Sequence, residues 1–254
     1  MSHHSYPLSA CFLCGGAHVL FAGMTLVKGR PLGSNERKAE EVESLLTSVY
    51  GRKKRARNED PVDTLVETIL SQNTTDINSG RAFSALKRRY PDWEEMLDEP
   101  PETLAEIIRS GGLAEIKAKR IIGALRLLKA ERGEITLDFL ADMTPKEAET
   151  WLASIDGVGP KTAAIVLLFS FGMPAFPVDT HIFRVSKRLG LIGGRASRES
   201  AQSELGRLIP PKEYYSMHLN LIEHGRRTCR PRNPRCNECF ISGLCAFHRN
   251  DPKA

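Results

Sequence analysis

Residues 155–171 decide the fold and read Ile-Asp-Gly-Val-Gly-Pro-Lys-Thr-Ala-Ala-Ile-Val-Leu-Leu-Phe-Ser-Phe. Gly157 and Gly159 give the backbone freedom for a tight turn, and Pro160 favours the first turn of a helix. We therefore expect a helix to start at Lys161. Because the residues that follow are almost all apolar, this helix is predicted to be buried nearly all round, with a rigidly held N-terminus.

The start of this helix also predicts chemistry. Its first amide groups have no partners within the helix, and they attract an anion such as a phosphate. At Lys161, a partly desolvated ammonium beside a helix N-terminus would find its charged form disfavoured, and a lysine in that state is a nucleophile. The alternative is an ordinary glycine turn between two helices with a solvated lysine.

Composition limits the class of protein. With 254 residues, of which 41% are hydrophobic, the chain can bury one large core or two modest ones, and we expect two small domains. A net charge of +5 permits a polyanionic partner without requiring one. No apolar run is long enough to cross a bilayer, so we expect a soluble protein with no membrane partner.

Helical spacing of apolar residues recurs along the chain, and no convincing pair of alternating strands is found. Asp60 before Pro61 is a helix N-cap, and Thr144 with Glu147 is a capping box. The predicted class is therefore all-α. Besides the two helices that begin at Pro61 and just after Thr144, helices are expected at residues 35–50, 79–90, 101–109, 116–131, 161–171, 180–189, 198–208 and 214–224.

Three stretches outside these helices allow more than one interpretation. Residues 1–34 are expected to be an unstructured leader without a secretory signal, although Cys11 and Cys14, with three nearby histidines, could hold zinc. The basic run at residues 52–57 is typical of a solvated face but could contact phosphates. The polar run Ser-Gln-Asn-Thr-Thr-Asp at residues 71–76 is either a loop or a set of side chains presented to a ligand.

Four cysteines near the C-terminus indicate a metal centre in a reducing compartment. They are spaced C-x6-C-x2-C-x5-C, and four thiolates this close repel one another unless a cation neutralises them. Zinc usually takes two CxxC pairs, whereas one CxxC with longer arms suits a [4Fe-4S] cluster better. Zinc, or no metal, remains the alternative. The ligands would be Cys229, Cys236, Cys239 and Cys245.

Arginines are concentrated around the first of these cysteines, and no acidic residue occurs from residue 226 to residue 235. A loop fixed at both ends by a metal centre would present guanidinium groups rigidly, which favours bidentate phosphate contacts. This pattern is typical of binding to a nucleic-acid backbone. Arg230 and Arg232 are the predicted contacts.

Three motifs together give the chain a family resemblance. They are Ile-Asp-Gly-Val-Gly-Pro-Lys-Thr-Ala around Lys161, Val-Asp-Thr-His-Ile-Phe-Arg-Val around Asp179, and the four-cysteine spacing. With them the chain resembles the endonuclease III family of bifunctional DNA glycosylases, in the helix-hairpin-helix superfamily. The resemblance implies a DNA-binding groove between two helical domains, a helical barrel at 59–173 and an iron–sulfur domain at 35–58 plus 174–254.

The resemblance also implies roles for single residues. Lys161 matches the lysine that forms a Schiff base, and Asp179 matches the catalytic aspartate. Leu113 matches the wedge that enters the duplex where a base has been flipped out. His181 lies on the same DNA-facing side as that wedge, and Gly157 and Gly159 belong to the DNA-binding hairpin.

One position departs from the family pattern. Endonuclease III reads Ser-Ala-Gln-Ala-Thr-Asp where this chain has residues 71–76, so the family's gap-filling glutamine falls on Asn73. Gln72 lies one position earlier. Either amide could fill the gap, so this departure leaves open both the gap-filling residue and the base preference.

The function implied by the resemblance is removal of damaged bases, of the oxidised pyrimidine class, from double-stranded DNA, followed by cleavage of the abasic site through a lysine Schiff base. We expect a monomer, cytoplasmic with the nucleoid in a prokaryote, or nuclear or mitochondrial in a eukaryote. One alternative is a monofunctional glycosylase for mismatched uracil, thymine or adenine. Another is a non-catalytic DNA-binding protein whose cluster senses redox state.

Overall fold

The computed structural model describes residues 33–55 and 60–250, and within these ranges the regular structure is helical, without strands. This confirms the all-α class. The predicted leader and its two cysteines lie outside the described residues, except for Gly33 and Ser34, which are the N-cap and the first residue of the first helix. The α-helices are α1 (Ser34–Tyr50), α2 (Pro61–Ser71), α3 (Asp76–Arg89), α4 (Pro101–Ile107), α5 (Ala114–Arg132), α6 (Pro145–Ala153), α7 (Pro160–Val166), α8 (Thr180–Leu189), α9 (Arg198–Leu208), α10 (Tyr214–Arg227) and α11 (Ala246–Asn250).

The predicted helix starts are formed by the expected side chains. Asp60 Oδ1 accepts hydrogen bonds from the amides of Val62 and Asp63 at 2.8 and 3.0 Å. Both halves of the capping box between Thr144 and Glu147 are present. The helix expected from residue 79 begins earlier, because Thr75 caps α3.

A first hydrophobic core lies among α2 to α7. Its fully buried members include Leu65 and Ile69 from α2 and Leu125 from α5. This core fixes the end of α2, the start of α5 and the start of α7. Those three ends carry the loop at residues 71–76, the turn at Leu113 and the glycine hairpin.

A second core packs α1 against α8, α9 and α10, with Leu46, Ile182 and Leu221 fully buried. The segment after α7 joins the two cores. It continues as a π-helix, Leu167–Phe171, in which Leu167 belongs to the first core and Leu168 to the second. The predicted division into two domains at these bounds stays a prediction.

The basic run that follows α1, predicted as a solvated face that could contact phosphates, takes part in the packing through three of its members. Arg52 forms ion pairs with Glu43 and Glu213. Lys53 pairs with Glu223 at 3.3 Å. Arg55 donates to the carbonyls of residues 169 and 170 at 3.2 and 2.8 Å, at the end of the π-helix. These side chains hold the linker against the second core.

None of the described helices is long and apolar enough to cross a membrane.

Candidate active site

The glycine hairpin depends on Gly157 more than on Gly159. Gly157 has a φ of 79°, and a Cβ there would lie 2.3 Å from Cδ of Arg120, so only glycine fits. Gly159 has a φ of −91°, which any residue adopts, and a Cβ there would meet nothing within 4 Å. The expectation that both glycines supply backbone freedom is therefore wrong for Gly159. Because Gly159 has no side chain, it leaves the amides at the N-terminus of α7 uncovered.

Gln72 clamps this hairpin from the end of α2. Its Nε2 donates to the carbonyl of Gly157 at 2.9 Å, and its Oε1 accepts from Arg120 Nη1 at 3.1 Å. Sequence reasoning missed Arg120, because the contact joins three segments that are far apart in the chain. With both ends of its amide engaged, Gln72 is held in the protein rather than presented to a ligand.

Asn73 differs from its neighbour in both conformation and exposure. It is exposed and has a φ of 53°, in the left-handed region that asparagine tolerates better than most residues. Leu113 also has a left-handed conformation, with a φ of 50°, and is 53% exposed directly before α5. An exposed leucine with a strained backbone is unusual, and such strain concentrates at functional sites.

Lys161 is the second residue of α7, which begins at Pro160, one residue earlier than expected. Lys161 is exposed, so the prediction of a partly desolvated ammonium is wrong for the protein alone. Thr162 and Ala163, which follow it, are buried and fix the start of the helix. Desolvation of the amine therefore requires a bound ligand that covers it.

Asp179 is the N-cap of α8, and its Oδ1 accepts a hydrogen bond from the amide of Ile182 at 2.7 Å. His218 supports the extended segment in front of it. His218 is 3% exposed, and its Nδ1 lies 3.0 Å from the carbonyl oxygen of Pro177. Burial lowers the pKa of His218 to about 4, so the ring is neutral at pH 7 and donates its Nδ1–H to that carbonyl.

An open groove of about 900 Å³ brings Lys161 and Asp179 together. Within the described residues, no ion pair joins the amine to the carboxylate. A salt bridge of 2.6 Å between Asp76 of α3 and Arg226 of α10 crosses one side of the groove. The walls also include Gln72, Asn73, Gly159, His181 and three residues of α9 that sequence reasoning did not single out, Arg198, Glu199 and Gln202.

His181 lies against the end of α10. A Cβ on Gly225 would lie 2.9 Å from Cβ of His181, so the close approach of the two helices requires glycine. Arg184 donates to His181 Nδ1 at 3.1 Å and to the carbonyls of Gly225 and Cys229 at 2.9 and 3.0 Å. Burial, together with the nearby arginines, lowers the pKa of His181.

Leu113 and the two predicted arginines are not part of the groove wall that holds Lys161. Leu113 lines a neighbouring cavity between α4 and α5. Arg230 and Arg232 are exposed, and they have no carboxylate partner within the part of the chain that the structure describes. The other three arginines of this region are paired, Arg226 with Asp76, Arg227 with Glu223 and Arg235 with Glu238.

The loop that carries the two unpaired arginines is fixed by the protein itself. Arg188 of α8 donates to the carbonyl of Arg230 at 2.7 Å and to that of Pro231 at 3.1 Å. The amide of Arg235 donates to the carbonyl of Thr228 at 3.0 Å. The loop therefore presents its guanidinium groups from a defined backbone.

The four cysteines line one small apolar cavity against α8 and α10. Four cysteines that line one cavity suit a cluster of several irons. Burial raises the pKa of the Cys239 thiol to about 11, so a thiolate there needs the positive charge of a bound metal. The residues present fit a [4Fe-4S] cluster.

Comparison with known proteins agrees with this arrangement. Residues 66–211 match the HhH-GPD superfamily of base excision DNA repair proteins. The chain belongs to this superfamily. Residues 229–245, which contain all four cysteines, match the iron–sulfur binding domain of endonuclease III. The cofactor of this protein is therefore a [4Fe-4S] cluster.

Individual relatives extend the similarity over most of the chain. Endonuclease III of Thermotoga maritima is 36% identical over 213 residues, which cover 84% of this chain and 95% of that protein. An Arabidopsis thaliana protein named as a candidate DNA glycosylase is 40% identical over 168 residues, 66% of this chain but only 57% of its own length. A solved non-covalent endonuclease III–DNA complex has a TM-score of 0.74 at 26% identity, covering 86% of this chain and 99% of that one. A solved structure of a trapped covalent endonuclease III–DNA intermediate has a TM-score of 0.72 at 27% identity, covering 85% of this chain and 97% of that one.

Proposed function

We propose that this protein is a bifunctional base-excision-repair enzyme, a DNA glycosylase that also cleaves the abasic site. The observation that carries the proposal is the placement of an exposed lysine at a helix N-terminus and a capping aspartate in one open groove. Membership of the superfamily and the likeness to endonuclease III–DNA complexes support it. The substrate would be double-stranded DNA that contains an oxidised pyrimidine or an abasic site.

In the proposed reaction, the amine of Lys161 attacks C1′ of the damaged nucleotide and the base leaves with the electron pair of the glycosidic bond. Loss of a proton from nitrogen and opening of the sugar ring give an imine. The imine acidifies the proton on C2′. Removal of that proton expels the 3′ phosphate by β-elimination. Covering Lys161 with DNA supplies the desolvation that the protein alone does not provide.

Asp179 would act on the same sugar. Its Oδ1 is held by the amide of Ile182, which leaves Oδ2 to accept a proton from the amine or to stabilise positive charge on the sugar. The neutral ring of His218 fixes the backbone just before this carboxylate. The aspartate is therefore both a helix cap and a reactive group.

The damaged nucleotide must leave the stack before either group can reach it. Leu113 and Asn73 are exposed and have left-handed backbone conformations, whereas the amide of Gln72 is engaged inside the protein. We therefore assign the wedge to Leu113 and the gap-filling role to Asn73. Exposed Arg230 and Arg232 would bind phosphates, as would the uncovered amides at the start of α7.

The four cysteines would hold the cluster, which would supply positive charge for the thiolates. Through Cys229 and Cys236 it would also fix the two ends of the arginine loop, the segment between these cysteines that carries Arg230 and Arg232. Every group used in the proposed reaction comes from one chain, which supports action as a monomer. The enzyme would work in the compartment that contains the genome.

Base release and strand cleavage, scored separately, test this function. The wild-type protein and Lys161→Gln are incubated with duplexes that carry thymine glycol, dihydrouracil, uracil, 8-oxoguanine or an abasic site. We expect the wild type to release oxidised pyrimidines and to nick the product, and the variant to bind DNA without nicking. Release of uracil or adenine without nicking by the wild type would indicate a monofunctional mismatch glycosylase instead.

A further inference from the structure

Lys117 is a buried ammonium with an unusual set of partners. It lies in the first turn of α5 and is 1% exposed. Its Nζ donates to the carbonyl of Leu70 at 2.6 Å and to the carbonyl of Gly111 at 2.7 Å. No carboxylate in the described residues forms an ion pair with it. Burial of a charge without a countercharge is costly, so this lysine needs a reason beyond packing.

The two carbonyls belong to the two segments that the proposed function places in the duplex. Leu70 is in the last turn of α2, shortly before Asn73, and Gly111 shortly precedes Leu113. A Cβ on Gly111 would lie 3.3 Å from Cβ of Ala82 and 4.0 Å from the carbonyl oxygen of Leu70, so the two segments are already in close contact. The ammonium also lies at the C-terminal end of α2, where the helix dipole favours positive charge.

We propose that Lys117 is a positioning residue that sets the separation between the wedge, Leu113, and the gap-filling residue, Asn73. The inference rests on the proposed function, because it needs both side chains in the DNA. Three N–H donors on one nitrogen allow Lys117 to bind both carbonyls at once, which no apolar residue does. The two left-handed backbones of Asn73 and Leu113 are then held relative to one point inside the protein.

Removal of the ammonium should affect duplex opening selectively. The wedge and the gap filler must reach the same site in the base stack, and a misplacement of about 1 Å can cost about 100-fold in rate. Lys161 and Asp179 lie on α7 and at the start of α8, and the two hydrogen bonds of Lys117 go to neither element. Their chemistry on a lesion that is already unstacked should persist.

The test is the ratio of excision rates for thymine glycol in a duplex and in a single strand, measured for the wild type and Lys117→Met. The matched control is Leu128→Ala, which opens the core about three turns further along the same helix. We expect Lys117→Met to lower the ratio by about 30- to 100-fold. Leu128→Ala should lower both rates equally and leave the ratio unchanged.

Thermal unfolding and the visible absorption of the cluster show whether each variant is folded. If Lys117→Met does not fold, Lys117→Gln keeps a donor for one carbonyl and is expected to lower the ratio in the same direction. An unchanged ratio in a folded variant would show that Lys117 only packs. A wild-type protein that excises thymine glycol from neither substrate would instead overturn the proposed function, and this inference with it.

Discussion

At the scale of single residues, the proposed site combines ordinary structural positions with reactive groups. Asp179 caps a helix through one carboxylate oxygen, and the proposed function gives the other oxygen its role in the chemistry. Asp179→Asn retains an oxygen that can accept the hydrogen bond from Ile182, so the fold should be unchanged. We expect base excision to slow by about 10²- to 10⁴-fold, which is typical for the loss of a general acid or base. Single-turnover excision and DNA-binding assays on the same variant check this, and equal losses in rate and affinity would contradict it.

A second prediction at this scale separates Gln72 from Asn73. Asn73→Gly removes the amide and keeps the left-handed backbone without strain, so stability should change little. Excision from a duplex should fall sharply while excision from a single strand persists. Gln72→Ala removes the hydrogen bonds to Gly157 and Arg120, and it should lower the free energy of unfolding by about 1–2 kcal/mol.

Urea unfolding and paired excision assays distinguish the two residues. Because Gln72 holds the hairpin, its variant should lose activity on both substrates alike. A selective loss of duplex excision in Gln72→Ala, with none in Asn73→Gly, would reverse the assignment.

At the scale of elements, the sequence predicted the features that depend on residues close together in the chain. Helix caps such as Asp60 and Thr144 and the bounds of α8 and α9 follow from residues that are neighbours in the chain. Contacts between distant segments were not predictable in the same way. The clamp of Gln72 on Gly157 and the bridge made by Lys117 each join segments that only the packed core brings together.

Some signals were nevertheless readable in the sequence. Lys117 stands in register with Ile121, Leu125 and Leu128 on the apolar face of α5, and a lysine in such a stripe indicates a buried charge. The basic run at residues 52–55 is a different case. Its composition predicts a solvated face that could contact phosphates, whereas Arg52, Lys53 and Arg55 bind carboxylates and carbonyls of the same protein.

The arginine loop gives a prediction at this scale. Exposed Arg230 and Arg232 should each contribute about 0.9 to the slope of log affinity against log salt, so Arg230→Gln with Arg232→Gln should reduce that slope by about 2. The control is Arg227→Gln with Arg235→Gln, an equal change of charge at arginines paired with Glu223 and Glu238. Binding to an undamaged duplex over a salt series measures both. Equal slopes for the two double variants would show that exposure does not identify the phosphate contacts.

At the scale of the whole molecule, burial of neutral histidine makes stability depend on pH. The pKa of His218 is lowered from its ordinary 6.5 to about 4 by burial. Between these values the unfolded chain binds a proton that the native state does not, so stability should fall as pH falls from about 6.5 to about 4 and level off below. His218 accounts for up to about 3 kcal/mol of this loss.

His218→Asn tests the origin of that dependence, since its amide can still donate to the carbonyl of Pro177. Urea unfolding at several pH values should show a shallower loss of stability for the variant than for the wild type. His224 is also buried, with its pKa lowered to about 4, so some dependence should remain. The same pH dependence in both proteins would show that His218 is not its source.

The central claim for the whole molecule is that the two cores hold Lys161 where it attacks a nucleotide drawn out of the duplex. A Schiff base is reducible, so borohydride added during reaction with an abasic or thymine-glycol duplex should trap a covalent complex. Peptide mapping by mass spectrometry should place the DNA adduct on Lys161, and Lys161→Gln should give none. Base release by the wild type with no trapped complex, or an adduct mapped to another amine, would contradict the account.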